Sequence, residues 1–184
     1  MYKVNLRLFE PEKDIRQLYT YMMKPENQML FSQTAIPVNN LIMFEQWLND
    51  KFHYLYHDFF IIENKEGDAI GFTYSYEFYP NDGHCKFALC LYEESQNRGY
   101  GAVAAIKMLD YLFSLYSLNQ VYTTVFDYNQ NSLSINKKGG FVEVGILPNY
   151  KFYGGQYYSL HYLCLERSKF YQKCRQYSKL ILKD

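Results

Sequence analysis

A glycine-containing stretch, Ser95–Ala102 (SQNRGYGA), follows the apolar run FALCLY and precedes a segment with the apolar period of a helix. Where a strand enters a helix through such a turn, the first backbone N–H groups of the helix lack partners and lie at the positive end of its dipole. Such a position binds phosphate readily, and Gly99 and Gly101 would let an anion approach the main chain closely. Gln96 and Arg98 could add side-chain donors. The glycines could equally serve only to turn the chain, and the stretch alone does not decide.

A second polar segment, Asn129–Phe141 (NQNSLSINKKGGF), follows one predicted helix and one predicted strand later. Together the two segments resemble the acyl-CoA pyrophosphate loop, Q/R-x-x-G-x-G/A, and the N-x-x-A/S…G-F segment of the GNAT superfamily of N-acetyltransferases. The element order from Val4 to about Glu166 agrees with that superfamily. The late segment GGQYYSLHYLCLE resembles the branch with ribosomal-protein N-terminal and polyamine acetyltransferases, although Ser159 stands where Asp or Asn is common.

The resemblance implies a co-substrate, acetyl-CoA, and a place for each of its parts. Its pantetheine arm would lie between two splayed strands and pair with main-chain groups like an added strand, while its pyrophosphate would lie on the N–H groups of the glycine loop. Asn129 would hydrogen-bond the pantetheine arm. The residues implied in coenzyme binding are Leu89, Cys90, Leu91, Gln96, Asn97, Arg98, Gly99, Tyr100, Gly101, Ala102, Asn129, Ser132 and Asn136.

The reaction that the resemblance implies is direct acetyl transfer to a primary amine in a ternary complex. An alkyl amine with a pKa of about 10.4 must lose a proton before it attacks, so a base or a water chain is needed. Lys86 stands where related enzymes often carry a Glu, which leaves Glu77, His84 or water as candidates. The backbone N–H of Leu91 would stabilise the oxyanion. Asn136 stands where many relatives place a Tyr as the acid for the thiolate.

The periodicity of the chain predicts one α/β domain. VNLRLF, FFIIE, AIGFTYSYEF, HCKFALCLY, VYTTVF, FVEVGI and YYSLHYLCLE read as strands, and helices are expected from Pro11, around 40–55, from Tyr100 to about Leu118 and over 130–138. Residues 24–38 read as irregular. The resemblance implies a mixed, mostly antiparallel sheet with a splayed central strand pair and helices on both faces. We expect this acetyltransferase domain to span residues 1–167, with a basic helical extension over 168–184.

The amino-acid composition limits which binding partners and which cellular compartment we expect for the protein. Nineteen basic and nineteen acidic residues cancel in the 184-residue chain, so no overall charge attracts nucleic acid or an anionic membrane. Four cysteines without metal-type spacing indicate free thiols in a reducing cytoplasm. Neither a leader nor a membrane-spanning segment is recognised. His53, His57 and Asp58 could share a helical face, but no further ligand accompanies them, and we expect no metal site.

The predicted function is therefore acetyl transfer to a small-molecule amine, an amino sugar or a peptide N-terminus by a cytoplasmic monomer or homodimer. The alternative is a catalytically degenerate acyl-CoA sensor or partner module, which Lys86 and Asn136 motivate. Two regions, 24–57 and 147–155, are expected to bind the acceptor, since both are rich in aromatic residues. Their acidic residues Glu26, Glu45 and Asp50 are scattered, so the cluster expected for a polyamine is missing. The aromatic candidates are Phe31, Phe44, Trp47, Tyr54, Tyr150, Phe152 and Tyr153.

Overall fold

A computed structural model describes residues 3–31 and 38–181. It contains one seven-stranded sheet with the strand order β1-β2-β3-β4-β5-β7-β6. Only the central β4–β5 contact is parallel, while the other neighbouring strands run antiparallel. The predicted mixed, mostly antiparallel sheet is thus confirmed. The strands are β1 (Asn5–Leu8), β2 (Tyr56–Glu63), β3 (Ala69–Tyr79), β4 (His84–Leu91), β5 (Gln120–Phe126), β6 (Val142–Tyr153) and β7 (Gln156–Glu166).

Helices cover both faces of the sheet, as predicted. On one face, α4 and α5 share a hydrophobic core with β4, β5 and β7, built around Phe113, Val121 and Leu163. On the other face, α1 and α3 pack against β2, β3 and β4 through Leu18, Phe44 and other apolar residues. The helices are α1 (Pro11–Met22), α2 (Pro25–Phe31), α3 (Leu41–Tyr54), α4 (Tyr100–Leu115), α5 (Gln130–Gly139) and α6 (Arg167–Ile181). No helix in the described ranges is long and apolar enough to cross a bilayer.

The short helix α2 occupies part of the region that the sequence predicts to be irregular, so that prediction was wrong for Pro25–Phe31, while residues 32–37 lie outside the described residues. Pro25 fits the first position of a helix, where its missing N–H is not needed. Asn27 fixes the turn between α1 and α2, because its side-chain amide donates to the Tyr21 carbonyl oxygen at 2.8 Å. Neither signal extends over enough residues to give a helical period, so the pattern could not reveal this helix.

A buried ion-pair cluster holds α1 against the sheet. The Arg7 guanidinium on β1 donates to both carboxylate oxygens of Asp14 on α1, at 2.7 and 2.8 Å, and to Glu63 on β2 at 2.7 Å. This bidentate geometry fixes the orientation of the Asp14 carboxylate relative to the Arg7 guanidinium as well as the distance between them. It sets the start of α1 on the sheet edge, and α1 then carries Tyr21 to the end of β4.

The C-terminal helix begins immediately after β7. Phe170 in its first turn is buried and lies 5.4 Å from the ring of Phe113 on α4. The start of α6 therefore packs on the core through an apolar side chain. The division of the chain into a domain over 1–167 and an extension over 168–184 stays a prediction.

A glycine allows β3 and β4 to approach closely where β4 ends. A Cβ atom added at Gly71 would lie 2.2 Å from the Cys90 carbonyl oxygen and 2.9 Å from the Leu91 Cα. Both atoms belong to the backbone, so neither can move aside as a flexible side chain would. The packing of β3 against the end of β4 therefore requires glycine at this position.

We predict that Gly71→Ala lowers the free energy of unfolding by about 3 kcal/mol or more, since the added methyl group must displace backbone. Gly145→Ala on β6 is the matched control, because nothing lies within 4 Å of its added Cβ. That control should change stability by less than about 1 kcal/mol. Denaturant unfolding of both variants measures the difference, and equal midpoints would contradict the close approach.

Candidate active site

The two central strands part along their length. The β4–β5 ladder consists of His84–Gln120, Cys85–Val121 and Lys86–Tyr122, and it ends there. Beyond this step β4 remains paired with β3 as far as Leu91, and β5 remains paired with β7 as far as Phe126. Each central strand thus keeps its outer partner while the two diverge from each other. The result is a wedge-shaped gap in the middle of the sheet.

Backbone polar groups face this gap from both sides. The Tyr92 N–H donates to the Ile70 carbonyl oxygen at 2.9 Å, so by the alternation of antiparallel pairing Leu89 and Leu91 turn their main-chain groups away from β3. On β5, the same alternation directs the main-chain groups of Thr124 and Phe126 away from β7. An extended molecule in the gap would therefore meet a row of donors and acceptors.

Cys90 differs from its two neighbours, because its main-chain groups face β3. Its thiol is buried and lies 3.0 Å from the Tyr21 hydroxyl, and burial raises the pKa of the thiol to about 12. Such a thiol stays protonated at neutral pH and is a poor nucleophile. Among the three residues predicted to pair with the pantetheine arm, the alternation thus favours Leu89 and Leu91.

The end of β4 is fixed by two side chains that donate to one carbonyl oxygen. The Leu91 carbonyl accepts from the Tyr21 hydroxyl at 3.1 Å and from Gln96 Nε2 at 2.9 Å. Tyr21 comes from α1 and Gln96 from the glycine loop, so this carbonyl joins three segments. Sequence reasoning missed Tyr21, because a tyrosine at a helical apolar position gives no sign of a partner 70 residues away.

The glycine loop presents the free N-terminus of α4. A single 3-10 turn, Glu93–Ser95, leads out of β4, and both Asn97 (φ 58°) and Gly99 (φ 82°) adopt left-handed backbone conformations. Gly99 occupies the N-cap position, where it has no side chain to cap the helix, and the first turn of α4 contains no acidic residue. The first N–H groups and the positive end of the dipole are therefore available to an anion.

Glycine at 101 is not required by the packing of the protein. A Cβ atom there would meet Leu91 Cδ1 at 3.5 Å and Leu89 Cδ2 at 4.0 Å, which are ordinary contacts. The missing side chain instead leaves open the space between the first turn of α4 and the end of β4. A molecule that lies on the helix N-terminus and enters the gap would pass through this space.

The second motif forms the start of α5. The Asn129 side-chain oxygen accepts the Ser132 N–H at 3.1 Å and so caps the helix, which leaves its amide nitrogen as a donor. The Asn136 side chain donates to the Ser132 carbonyl oxygen at 2.8 Å. The three predicted residues thus lie along the first two turns of α5, and the Asn136 side chain is turned back onto the helix.

Lys86 and Glu77 form an ion pair where the gap begins. The Lys86 ammonium lies 2.7 Å from Glu77 Oε2, and its side chain is 16% exposed. Burial alone would lower the pKa of Lys86, but the hydrogen bond and charge of Glu77 outweigh burial and raise it. Glu77 reaches this place because β3 shifts register after Tyr76 and gives Glu77 a φ of 44°. A carboxylate is therefore present beside Lys86, supplied by the neighbouring strand.

His84 lies further from the gap. It belongs to the part of β4 that is still paired with β5, two residues before Lys86. Its ring packs between the aromatic rings of Tyr79, at 5.2 Å, and Tyr122, at 5.8 Å. Of the two candidate bases, Glu77 is thus the nearer to the opening between the strands.

A carboxylate that sequence reasoning did not single out lies at the end of β5. Asp127 Oδ2 accepts the Ser159 N–H at 3.0 Å, whereas its Oδ1 is buried without a hydrogen-bond partner. Ser159 occupies the position where the resemblance leads one to expect Asp or Asn, so a carboxylate is present beside it after all. The only signal in the sequence was a charged residue directly after a buried strand.

The aromatic residues predicted to bind an acceptor fall into separate groups. Phe44 is fully buried and Trp47 stacks on it at 5.6 Å, so both belong to the packing of α3. Tyr54 is exposed at the end of α3, and the side chain of Phe31 lies outside the described residues. Tyr150, Phe152 and Tyr153 are partly exposed on β6.

The metal candidate does not form. His57 and Asp58 lie on β2 while His53 lies on α3, so the three do not share a helical face. Asp58 is occupied by hydrogen bonds from Ser75, Tyr111 and Tyr116. Within residues 3–31 and 38–181, no group of three or more His, Cys, Asp or Glu side chains is arranged to hold a metal ion.

A sheet opened between parallel central strands, with a free helix N-terminus beside the opening, is the arrangement that the sequence resemblance predicted. The chain belongs to the acetyltransferase (GNAT) domain family, whose model matches residues 3–142.

Its relatives include a spermidine N(1)-acetyltransferase of Vibrio cholerae, 25% identical over 111 residues, which are 60% of this chain and 64% of that protein. The match thus spans less than two thirds of that relative. A crystal structure of the V. cholerae spermidine N-acetyltransferase with CoA and spermine has a TM-score of 0.82 at 22% identity, covering 91% of this chain and 98% of that chain. A dodecameric structure of that enzyme has a TM-score of 0.78 at 22% identity, covering 92% and 97%.

We predict that Gly101→Ala leaves the free energy of unfolding unchanged or raises it by up to about 1 kcal/mol, since alanine favours helix. Acetyl-CoA affinity should nevertheless fall, and Gly101→Glu should abolish binding by filling the same space with a negative charge. Calorimetry with acetyl-CoA and denaturant unfolding measure the two effects separately.

Gly145→Glu adds the same charge on β6, where nothing lies within 4 Å of the new Cβ, and it should bind acetyl-CoA normally. Unchanged affinity in Gly101→Glu would show that the coenzyme does not cross this space.

Proposed function

We propose that the protein transfers the acetyl group of acetyl-CoA directly to a primary amine in a ternary complex. Family membership supports the reaction class, and one observation carries the proposal. Main-chain groups of Leu89 and Leu91 face a gap that begins after Lys86, beside the free N-terminus of α4. An extended arm ending in a phosphate-bearing group fits both features at once.

Separate groups would bind the coenzyme and stabilise the reacting carbonyl. N–H groups from about Arg98 to Ala102 hold the pyrophosphate, and Gln96 supports them indirectly, because it fixes the Leu91 carbonyl at the end of β4. The Leu91 N–H faces the gap, where it can donate to the negative oxygen that develops on the thioester carbonyl. The Asn129 amide nitrogen is a further donor to the arm.

Proton removal falls to Glu77 in this proposal. The acceptor amine arrives as an ammonium, and a carboxylate at the start of the gap can receive its proton directly or through water. Lys86 holds Glu77 in place at 2.7 Å. Since 41% of the Glu77 side chain is exposed, it can return the proton to solvent.

No strong acid is required at the leaving thiolate. Asn136 cannot donate a proton as a tyrosine could, and its amide is bonded to the Ser132 carbonyl. Tyr128 lies nearer the end of β5, but its hydroxyl donates to the Met29 carbonyl, and burial with neighbouring Tyr153 raises its pKa to about 12. We infer that the thiolate leaves without either residue.

The alternative is an acyl-CoA sensor that binds without turnover. The replacement of the usual residues by Lys86 and Asn136 is the observation that favours it. A working enzyme releases coenzyme thiol only when an amine is supplied, whereas a sensor binds acetyl-CoA tightly and releases none with any amine in a broad panel.

The compartment and the assembly are part of the same proposal. All four cysteines are unpaired, which suits the reducing cytoplasm expected for the protein. A monomer or homodimer stays our prediction for its assembly, although the V. cholerae relative has a dodecameric structure. Sedimentation of the purified protein decides between these sizes.

We predict that Glu77→Gln lowers kcat/KM for an accepted amine about a hundredfold, because the proton acceptor beside the gap is lost. His84→Gln should stay within about twofold of the wild type, since His84 lies in the paired part of β4. Thiol release followed across pH measures both variants, and acetyl-CoA affinity should be unchanged in each. A larger loss in His84→Gln would reverse the assignment, and equal small losses would leave water as the base.

A further inference from the structure

Two side-chain hydroxyl groups face each other where the gap begins. The Tyr76 hydroxyl on β3 lies 3.5 Å from the Thr124 hydroxyl oxygen on β5. A tyrosine on β3 reaches β5 only by crossing β4, which lies between these strands in the sheet. By the register of the β4–β5 pairs, Ala88 lies at the level of Thr124. Its side chain is a single methyl group, which leaves room for the crossing ring.

The hydroxyl pair lies on the same face of the sheet as the proposed base. Tyr76 pairs with Lys86 on β4, and residues opposite each other on neighbouring strands share a face. The Lys86 ammonium lies 5.9 Å from the centroid of the Tyr76 ring and 2.7 Å from Glu77 Oε2. Thr124 is two residues beyond Tyr122, the last residue of β5 that pairs with β4. The hydroxyl pair and the ion pair therefore both lie at the start of the gap.

The Tyr76 hydroxyl retains hydrogen-bonding capacity. A distance of 3.5 Å is long for two hydroxyl groups, whose oxygens usually lie about 2.7–2.8 Å apart when bonded. Within residues 3–31 and 38–181, this hydroxyl has no hydrogen-bond partner besides Thr124. Burial raises the pKa of Tyr76, so the phenol keeps its proton at neutral pH. A neutral phenol can donate to Thr124 and still accept a hydrogen bond from a ligand.

The acceptor nitrogen carries two hydrogens that have different fates. When a neutral primary amine attacks the thioester, a C–N bond forms and the nitrogen becomes positively charged. One N–H proton then passes to Glu77, the C–S bond breaks, and sulfur leaves as a thiolate that takes a proton from water. The other N–H stays in the amide product. A group that accepts a hydrogen bond from this second N–H stabilises the charge that develops on the nitrogen.

We propose that the Tyr76 hydroxyl accepts a hydrogen bond from the N–H that the amide product retains, and that this contact makes the site select primary amines. The inference rests on the proposed acetyl transfer. Tyr76 touches the reacting nitrogen and is a catalytic residue, whereas Thr124 positions it by accepting from the phenol. A neutral secondary amine has one N–H, which Glu77 removes, so no N–H is left for Tyr76.

A primary amine and its N-methyl derivative test this role. Butylamine and N-methylbutylamine differ in the N–H concerned, and thiol release from acetyl-CoA gives kcat/KM for each. Tyr76→Phe keeps the ring and removes only the hydroxyl. It should lower kcat/KM about 10- to 100-fold for butylamine and less than about threefold for N-methylbutylamine. Acetyl-CoA affinity, measured by calorimetry, should be unchanged. If another primary amine is the better acceptor, that amine and its N-methyl derivative replace this pair.

Variants of Thr124 test the positioning and extend the test if Tyr76→Phe does not fold. Thr124→Val removes the hydroxyl at similar volume and should lower kcat/KM for butylamine about three- to tenfold, whereas Thr124→Ser should behave as the wild type. Tyr122→Phe is the matched control, because it makes the same change in the paired part of β5. Its lost hydroxyl donates to Gln120 Oε1 at 2.8 Å, and its kcat/KM should stay within about twofold of the wild type.

The outcomes separate the two proposals. Unchanged turnover of butylamine in Tyr76→Phe, or an equal loss with both amines, would overturn the role of Tyr76 and leave the reaction standing. Wild-type turnover in Thr124→Val would overturn the positioning by Thr124. Tight binding of acetyl-CoA without thiol release by the wild-type protein, with any amine of a broad panel, would instead overturn the proposed acetyl transfer.

Discussion

The parallel contact between β4 and β5 lasts for only three residue pairs, and the candidate site depends on its ending. Two central strands that stop pairing leave backbone donors and acceptors facing each other across a space. Backbone groups that lose a strand partner need another hydrogen-bond partner, either water or a molecule that enters the gap. An extended molecule with alternating donors and acceptors restores those hydrogen bonds. The parting of the strands thus provides a binding site for a linear co-substrate.

The gap is kept open by the outer partners of the two strands. β5 remains paired with β7 up to Phe126, and β4 remains against β3 up to Leu91, where Gly71 permits close contact. At the same point Tyr21 and Gln96 hold the Leu91 carbonyl. The end of β4, the glycine loop and α1 are consequently one unit. A change in any of the three would move the first turn of α4 relative to the gap.

The glycine loop and the start of α5 could be predicted from the sequence because their two motifs occur together and each has a local structure. Gly99 and Asn97 adopt left-handed conformations at the turn, and Asn129 caps α5, all of which depend on neighbouring residues. The strand periods predicted the strands, while their arrangement in a mixed sheet came from the family resemblance. The contacts that complete the site join distant parts of the chain. Tyr21 meets Leu91 across 70 residues, and no periodic pattern indicates such a partner. His57 and Asp58 do not share a helical face with His53, because strand β2 begins at Tyr56 and contains both residues.

The pair of Lys86 and Glu77 shows why related sites are better compared by where side chains lie in the folded structure than by where residues align in the sequence. At the level of the motif, Lys86 looked like the loss of a carboxylate from β4. In the sheet, the shift of register in β3 brings Glu77 to the same point, so the carboxylate is present and the lysine accompanies it. The charges of Glu77 and Lys86 cancel, so the pair adds little net charge where the gap begins. The lysine at position 86 therefore neutralises the start of the gap without removing the carboxylate from it.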